Sequence, residues 1–146
     1  MHDLVHYLRE HVPLTHHIDI CAGQHTPGWF ELNAPLAPNL NDKHTAFGGT
    51  LATLCTLSGW CVVSYLCREA GIKVDIAVTE SHIRYHLPVT SDPVAARTWF
   101  PDQALVDSFV QDLNQQGKTR LELRAEVKAD DKVAVSFSSE YYVRVL

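Results

Sequence analysis

Between Thr45 and Cys67 the chain carries no charged residue, and its apolar positions return at steps of three and four. Phe47, Leu51, Leu54, Ser58, Val62 and Tyr65 fall on one side, and Thr50, Leu57, Trp60 and Ser64 on the other. The pattern predicts one long helix over Asn41–Arg68, polar at its mouth, broken by no proline, and apolar on most of its circumference. Such a helix needs cover on nearly all sides.

The rest of the chain supplies candidates for that cover. Leu4, Val5, Leu8 and Val12 predict a short amphipathic helix that Pro13 ends. From Leu14 to Leu32 the pattern is extended, with Ile18, Ile20 and Ala22 on one side and Asp19 and Cys21 on the other; Gly23, Pro27 and Gly28 interrupt it as a bulge or bend. Pro35, Pro38 and Asn39 make a loop that leads into Asn41. Lys73–Leu87 alternates, Ile83, Tyr85 and Leu87 facing one way and His82, Arg84 and His86 the other. Val94–Phe100 is a further strand, and Leu105, Phe109 and Leu113 predict a helix over Asp102–Gln116, with Gly117 as its stop. A hairpin closes the chain: Leu121, Leu123, Ala125 and Val127 face inward, Asp130-Asp131 turns, and Val133, Val135 and Phe137 lead to Tyr141, Val143 and Val145.

These elements add up to a single α+β domain over residues 1–146, in which a curved antiparallel sheet of five or six strands wraps one long central α-helix. A single sheet leaves edges exposed, and edge-to-edge pairing of two copies removes one from each, so a homodimer is expected.

Composition narrows the function. Lys and Arg number 12 against 17 Asp and Glu, a net charge of −5 with no basic cluster, which excludes nucleic acid as the expected partner. The apolar helix is long enough to raise a membrane span, but its threonines, serines and glycines and the sheet around it favour burial within the protein. Met1–His11 carries Asp3, Arg9 and Glu10 where a secretory leader would be apolar, so none is expected. Cys55, Cys61 and Cys67 lie six apart, about 240° around a helix, and with Cys21 form no Cys-x-x-Cys pair. They read as buried thiols in a reducing cytoplasm, with no metal site.

The segment Asn-Asp-Lys-His-Thr-Ala-Phe-Gly-Gly, residues 41–49, is similar to the Asn-x-x-Gly-Thr-x-Phe/His-Gly-Gly signature of the phenylacetyl-CoA type of hotdog-fold thioesterase. Over nearly its whole length the chain resembles the thioesterase domain that follows an acetyltransferase domain in some bacterial proteins. The resemblance implies a hotdog fold, a dimer or dimer of dimers, and acyl thioesters of coenzyme A or acyl carrier protein bound between subunits, with no further cofactor. Carried over, Asn41, Thr45, Gly48 and Gly49 match the motif. His44 stands where the signature has glycine, and Thr56 where that type places its helix aspartate.

Thioester hydrolysis needs a polarised carbonyl, a held water and a base. Gly48 and Gly49 at a helix start present N–H groups beside the positive end of the dipole, and lacking side chains they admit a carbonyl oxygen; the competing reading is close packing. Asn41 is a candidate to orient water or carbonyl, or else a turn residue. Histidine is the one side-chain type that ordinarily changes charge near neutral pH, which makes His44 the candidate base. Thr56 can hold a water or simply pack. Thr45, Phe47, Leu51 and Leu54 are candidates to line an acyl tunnel. His82 and Arg84, which share a strand face with His86, are candidates for coenzyme A phosphates; His82 and His86 lie about 13 Å apart, too far for one metal ion. The alternative to a hydrolase is an acyl-binding module that works with an acetyltransferase, since no Asp or Glu lies on the central helix before Glu69.

Overall fold

The computed structural model describes residues 1–146. In chain order it contains α1 (His2–His11), α2 (Leu14–Ile18), β1 (Cys21–His25), β2 (Trp29–Ala34), a 3-10 turn at Ala37–Asn39, α3 (Gly48–Glu69), β3 (Val74–Tyr85), β4 (Val94–Trp99), α4 (Gln103–Gln116), β5 (Lys118–Ala129) and β6 (Lys132–Val145). The six strands form one sheet in the order β1-β2-β4-β5-β6-β3, antiparallel at every step. With α3 on its concave face this is the hotdog architecture expected from the sequence.

A single apolar cluster joins helix to sheet. From α3 it takes Leu51, Leu54, Cys55, Cys61, Val62, Val63 and Leu66, and from the sheet Phe30, Leu32, Val94, Leu121, Leu123, Val127, Val135 and Val143. Two small residues bring the helix close. Ser58 is wholly buried and sends its hydroxyl toward the carbonyls of Phe30 and Ala96 at 3.4 and 3.3 Å. Gly59 faces Tyr141, whose Cζ would lie 2.6 Å from any Cβ placed there. Burial answers the membrane reading: α3 is long and apolar enough to cross a bilayer, yet 61% of its most apolar window is enclosed by the fold.

Two expectations need correction. Leu14–Ile18 is a helix, not a strand, so His16 and His17 sit on a helical turn. The turn is held from outside itself, by the Thr15 hydroxyl on the carbonyls of Val12 and Leu8 (2.7 and 3.1 Å), and it ends at Asp19 with a left-handed φ of 63°. The central helix starts at Gly48, not Asn41, because residues 41–47 close a loop of their own. At the last hairpin Val133 turns outward while Ala134 and Val135 are both buried, since the register shifts between Val127 and Lys128 on the facing strand. The predicted irregularity near Gly23 is present as a register shift between Ala22 and His25.

The helix is not covered all round. Gly49, Thr53, Thr56, Trp60 and Ser64, spaced four, three, four and four apart, remain partly or fully exposed. They form an open stripe along one side of α3. Next to it β3 is bonded only to β6, and most of its twelve residues are exposed.

Candidate functional site

The loop before α3 is built around Asn41. Its backbone N–H donates to the Thr45 carbonyl (2.8 Å), its Nδ2 to Thr45 Oγ1 (2.9 Å), and its Oδ1 accepts from the N–H groups of Lys43 (2.9 Å) and Thr45 (3.1 Å). Both ends of the amide are therefore engaged in an Asx-type turn. The turn carries His44 at a left-handed φ of 61°, with its side chain exposed. Thr45 is half-buried and closes the same turn.

A buried asparagine that the sequence pattern did not single out fixes the helix start. Asn39 donates Nδ2 to the carbonyls of Ile18 (2.9 Å) and Pro35 (2.8 Å) and accepts from Thr50 Oγ1 (3.1 Å), while its carbonyl accepts from the Phe47 N–H (2.8 Å). The Ala46 N–H donates to Val89 (2.8 Å) on the other side. Chain segments that are far apart in sequence thus clamp the first turn of α3.

That first turn is chemically unfinished. Phe47 occupies the N-cap position in extended conformation, and no side chain caps the helix. The N–H groups of Gly48, Gly49 and Thr50 have no partner within the chain. Unpaired N–H groups at the positive end of a helix of 22 residues attract an oxygen that bears negative charge. Aromatic rings flank the opening. Tyr85, from the end of β3, donates its hydroxyl to the Gly48 carbonyl at 3.2 Å, and a Cβ on Gly49 would clash with Cε2 of the Phe47 ring. Phe47 is 55% and Tyr85 52% exposed, so both rings border solvent.

Asn41, His44, Thr45, Phe47, Gly48 and Gly49 are therefore gathered at one end of the central helix. Thr56 stands on the open stripe seven residues beyond Gly49, about 10 Å along the axis. Its hydroxyl donates to the Ala52 carbonyl at 2.9 Å. Leu51 and Leu54 point into the core and are buried there. His82 and Arg84 alternate with the inward-packed Ile83, which sets them on the sheet's outer face, where His82 Nε2 meets Glu80 Oε1 at 3.0 Å. Neither shares a face with the helix start.

Burial also sorts the thiols. It raises Cys55 and Cys61 to about 12 and Cys67 to about 11, so all three stay protonated, while Cys21 is exposed.

The family described as "Putative thioesterase (yiiD_Cterm)" matches residues 1–145. Among solved structures, a protein of unknown function from Chlorobaculum tepidum superposes with a TM-score of 0.91 at 27% identity, over 97% of this chain and 92% of that one. A "putative thioesterase" from Shewanella oneidensis gives 0.86 at 30% identity, over 99% and 96%. A Pseudomonas aeruginosa protein described as a "probable thioesterase" gives 0.78 at 20% identity, over 99% and 95%, and shares the fold.

Proposed function

Because the chain belongs to the thioesterase family that spans residues 1–145, we propose that it hydrolyses acyl thioesters of coenzyme A or acyl carrier protein, with the carbonyl seated on the N–H groups of Gly48 and Gly49. The observation that carries this reading is the uncapped start of α3. As water attacks the thioester carbonyl, charge gathers on the oxygen. Donors already fixed in place by the helix need no rearrangement to receive it, which is where such donors lower a barrier. The thiolate of the carrier leaves as the tetrahedral intermediate collapses.

His44 is the proposed base. It sits exposed in the turn that leads into Gly48, and its ring makes no bond within the chain that would hold it elsewhere. Asn41 and Thr45 act through it, since their mutual bonds set the left-handed backbone at His44. The open stripe of Thr53, Thr56 and Trp60 is the proposed path of the acyl chain. A second copy, paired along the free edge of β3, would roof that stripe and make the working unit a homodimer or a dimer of such dimers.

Turnover of a panel of acyl-CoA and acyl-carrier-protein thioesters tests the reading. Wild type should cleave at least one chain length far faster than the His44→Ala, Asn41→Ala double variant; equal rates across the panel would sink it. The second reading, an acyl-binding module that partners an acetyltransferase, is favoured by one feature: the Thr56 hydroxyl is donated to its own helix, and α3 holds no carboxylate before Glu69. Saturable binding of an acyl thioester without turnover would select it.

A further inference from the structure

The carbonyl of Gly48 and the N–H of Gly49 belong to one peptide unit, and that unit is held from outside the helix. Besides the bond that helix geometry gives this carbonyl, it accepts the Tyr85 hydroxyl at 3.2 Å. The Tyr85 ring rests on Gly48, where a Cβ would find Cε1, Cζ and Oη at 3.6, 3.7 and 3.8 Å, so packing aims the hydroxyl as well. Tyr85 is the last residue of β3 and lies 37 residues along the chain. The next carbonyl, that of Gly49, takes the Thr53 hydroxyl at 2.8 Å, a bond that helical threonines make to their own helix. Only the fold brings a tyrosine to Gly48.

A peptide is a resonance hybrid. A donor on its oxygen draws electrons to that end and leaves the N–H more positive, and hydrogen bonds joined in this way strengthen one another by about 10–30%. At 3.2 Å the Tyr85 bond is longer than the usual hydroxyl bond of about 2.7–2.8 Å, so it has room to shorten as the N–H meets negative charge. An interaction that tightens only then favours the transition state over the bound substrate.

We propose that Tyr85 is a positioning residue for thioester hydrolysis: through the Gly48–Gly49 peptide it orients the Gly49 N–H and strengthens it as a donor to the thioester oxygen. The role rests on the reading above that the carbonyl is seated there. Tyr85 acts through the peptide and not on the substrate.

Tyr85→Phe keeps the ring and removes the hydroxyl, and at a half-exposed position it should leave the fold intact. In NMR spectra of the ligand-free protein, the Gly48 carbonyl carbon and the Gly49 amide nitrogen should both move upfield in the variant. A ring-fluorinated tyrosine at position 85, a stronger donor, should move both the other way. With the thioester that wild type cleaves fastest, Tyr85→Phe should lower kcat and kcat/KM together by roughly 2- to 8-fold, KM unchanged, a tenth to a third on a logarithmic scale of what one oxyanion donor supplies. Unmoved Gly48 and Gly49 signals, an unchanged kcat, or a loss confined to KM would overturn the assignment. The shifts are read without substrate, so a protein that shows them yet hydrolyses nothing keeps the coupling of Tyr85 to the Gly49 N–H and loses the hydrolase.

Discussion

Tyr141 donates its phenolic hydroxyl to the carbonyl of Thr56 at 2.8 Å, from a β6 position that is wholly buried. The bond passes beside Gly59, the one place on α3 where the ring can lie against helix backbone. Burial raises the phenol's pKa, so it remains a donor throughout the working pH range. The pair locks the middle of the central helix to the sheet, and with it the stripe that carries Thr53, Thr56 and Trp60.

Gly59→Ala should therefore destabilise the fold by about 1–3 kcal/mol, the usual cost of forcing a methyl into a packed core. Tyr141→Phe should cost about 1 kcal/mol through the lost hydrogen bond. Denaturant midpoints of the two variants check both; a Gly59→Ala protein as stable as wild type would show that the sheet can retreat from the helix here.

The thiols give a second prediction. Buried Cys55, Cys61 and Cys67 are raised from 9.0 to about 12, 12 and 11. Unfolding exposes them to their ordinary value, so above pH 9.0 the unfolded chain holds fewer protons than the folded one. Their contribution to stability is full below that pH and declines as pH climbs toward the folded values. At neutral pH an alkylating reagent should modify Cys21 alone, rising to all four cysteines only in denaturant, as read by mass spectrometry.

His25 should impose the opposite slope at the acid end. Its ring meets Tyr65 at 5.1 Å, Phe100 at 5.7 Å and Phe30 at 6.3 Å; the residue stays exposed overall, and the partial desolvation on the side of these rings lowers its pKa below 6.5. Protonation then favours the unfolded chain, so this contribution is present above pH 6.5 and lost as pH falls. His25→Phe should flatten the acid limb of the stability profile between neutrality and the carboxylate range, measured by thermal unfolding against pH.

How far the sequence reached depends on the range of the interactions involved. α4 was legible because its signals are local: Leu105, Phe109 and Leu113 repeat, Asp102 caps the Leu105 N–H at 2.8 Å, and Gly117 ends it at a φ of 72°. α2 was not, because five residues are too few to show a period and the Asn39 amide that holds Ile18 comes from 21 residues away. The same divide runs through the site. Gly48-Gly49 stand out ahead of an apolar run, but Asn39 reads as an ordinary loop residue until Thr50 is seen to donate to it, and Tyr85 reads as a strand residue until its hydroxyl meets Gly48 across 37 residues. Leu51 and Leu54 followed the helical period correctly; the period could not say that their side faces the core while Thr53 and Trp60 face the opening.

Gly49 offers the sharpest test of the helix start. A side chain there must displace the Phe47 ring and would stand where the proposed mechanism brings in the thioester oxygen. Gly49→Val should lower kcat/KM by roughly 10- to 100-fold, toward the effect of losing one oxyanion donor. Circular dichroism should stay near wild type, since Gly49 is exposed. A fully active Gly49→Val enzyme would move the carbonyl site elsewhere.

The free edge of β3 carries the final prediction. Twelve residues long and without proline, it has the length of unpaired N–H and C=O groups that invites another strand. Val78 lies at its middle, 41% exposed, where β3 begins to shift register against β6. In the proposed dimer this apolar side chain would be covered by the second copy. In the proposed dimer, Val78→Glu should bury a charge in the seam of each copy and so yield a monomer by light scattering where the wild type is a dimer. If the partner also roofs the stripe of α3, the monomer should lose most of its turnover while keeping its fold. A Val78→Glu protein that remains dimeric would show that the copies meet on another surface, and a wild type that is monomeric would remove the roof from the proposed acyl path altogether.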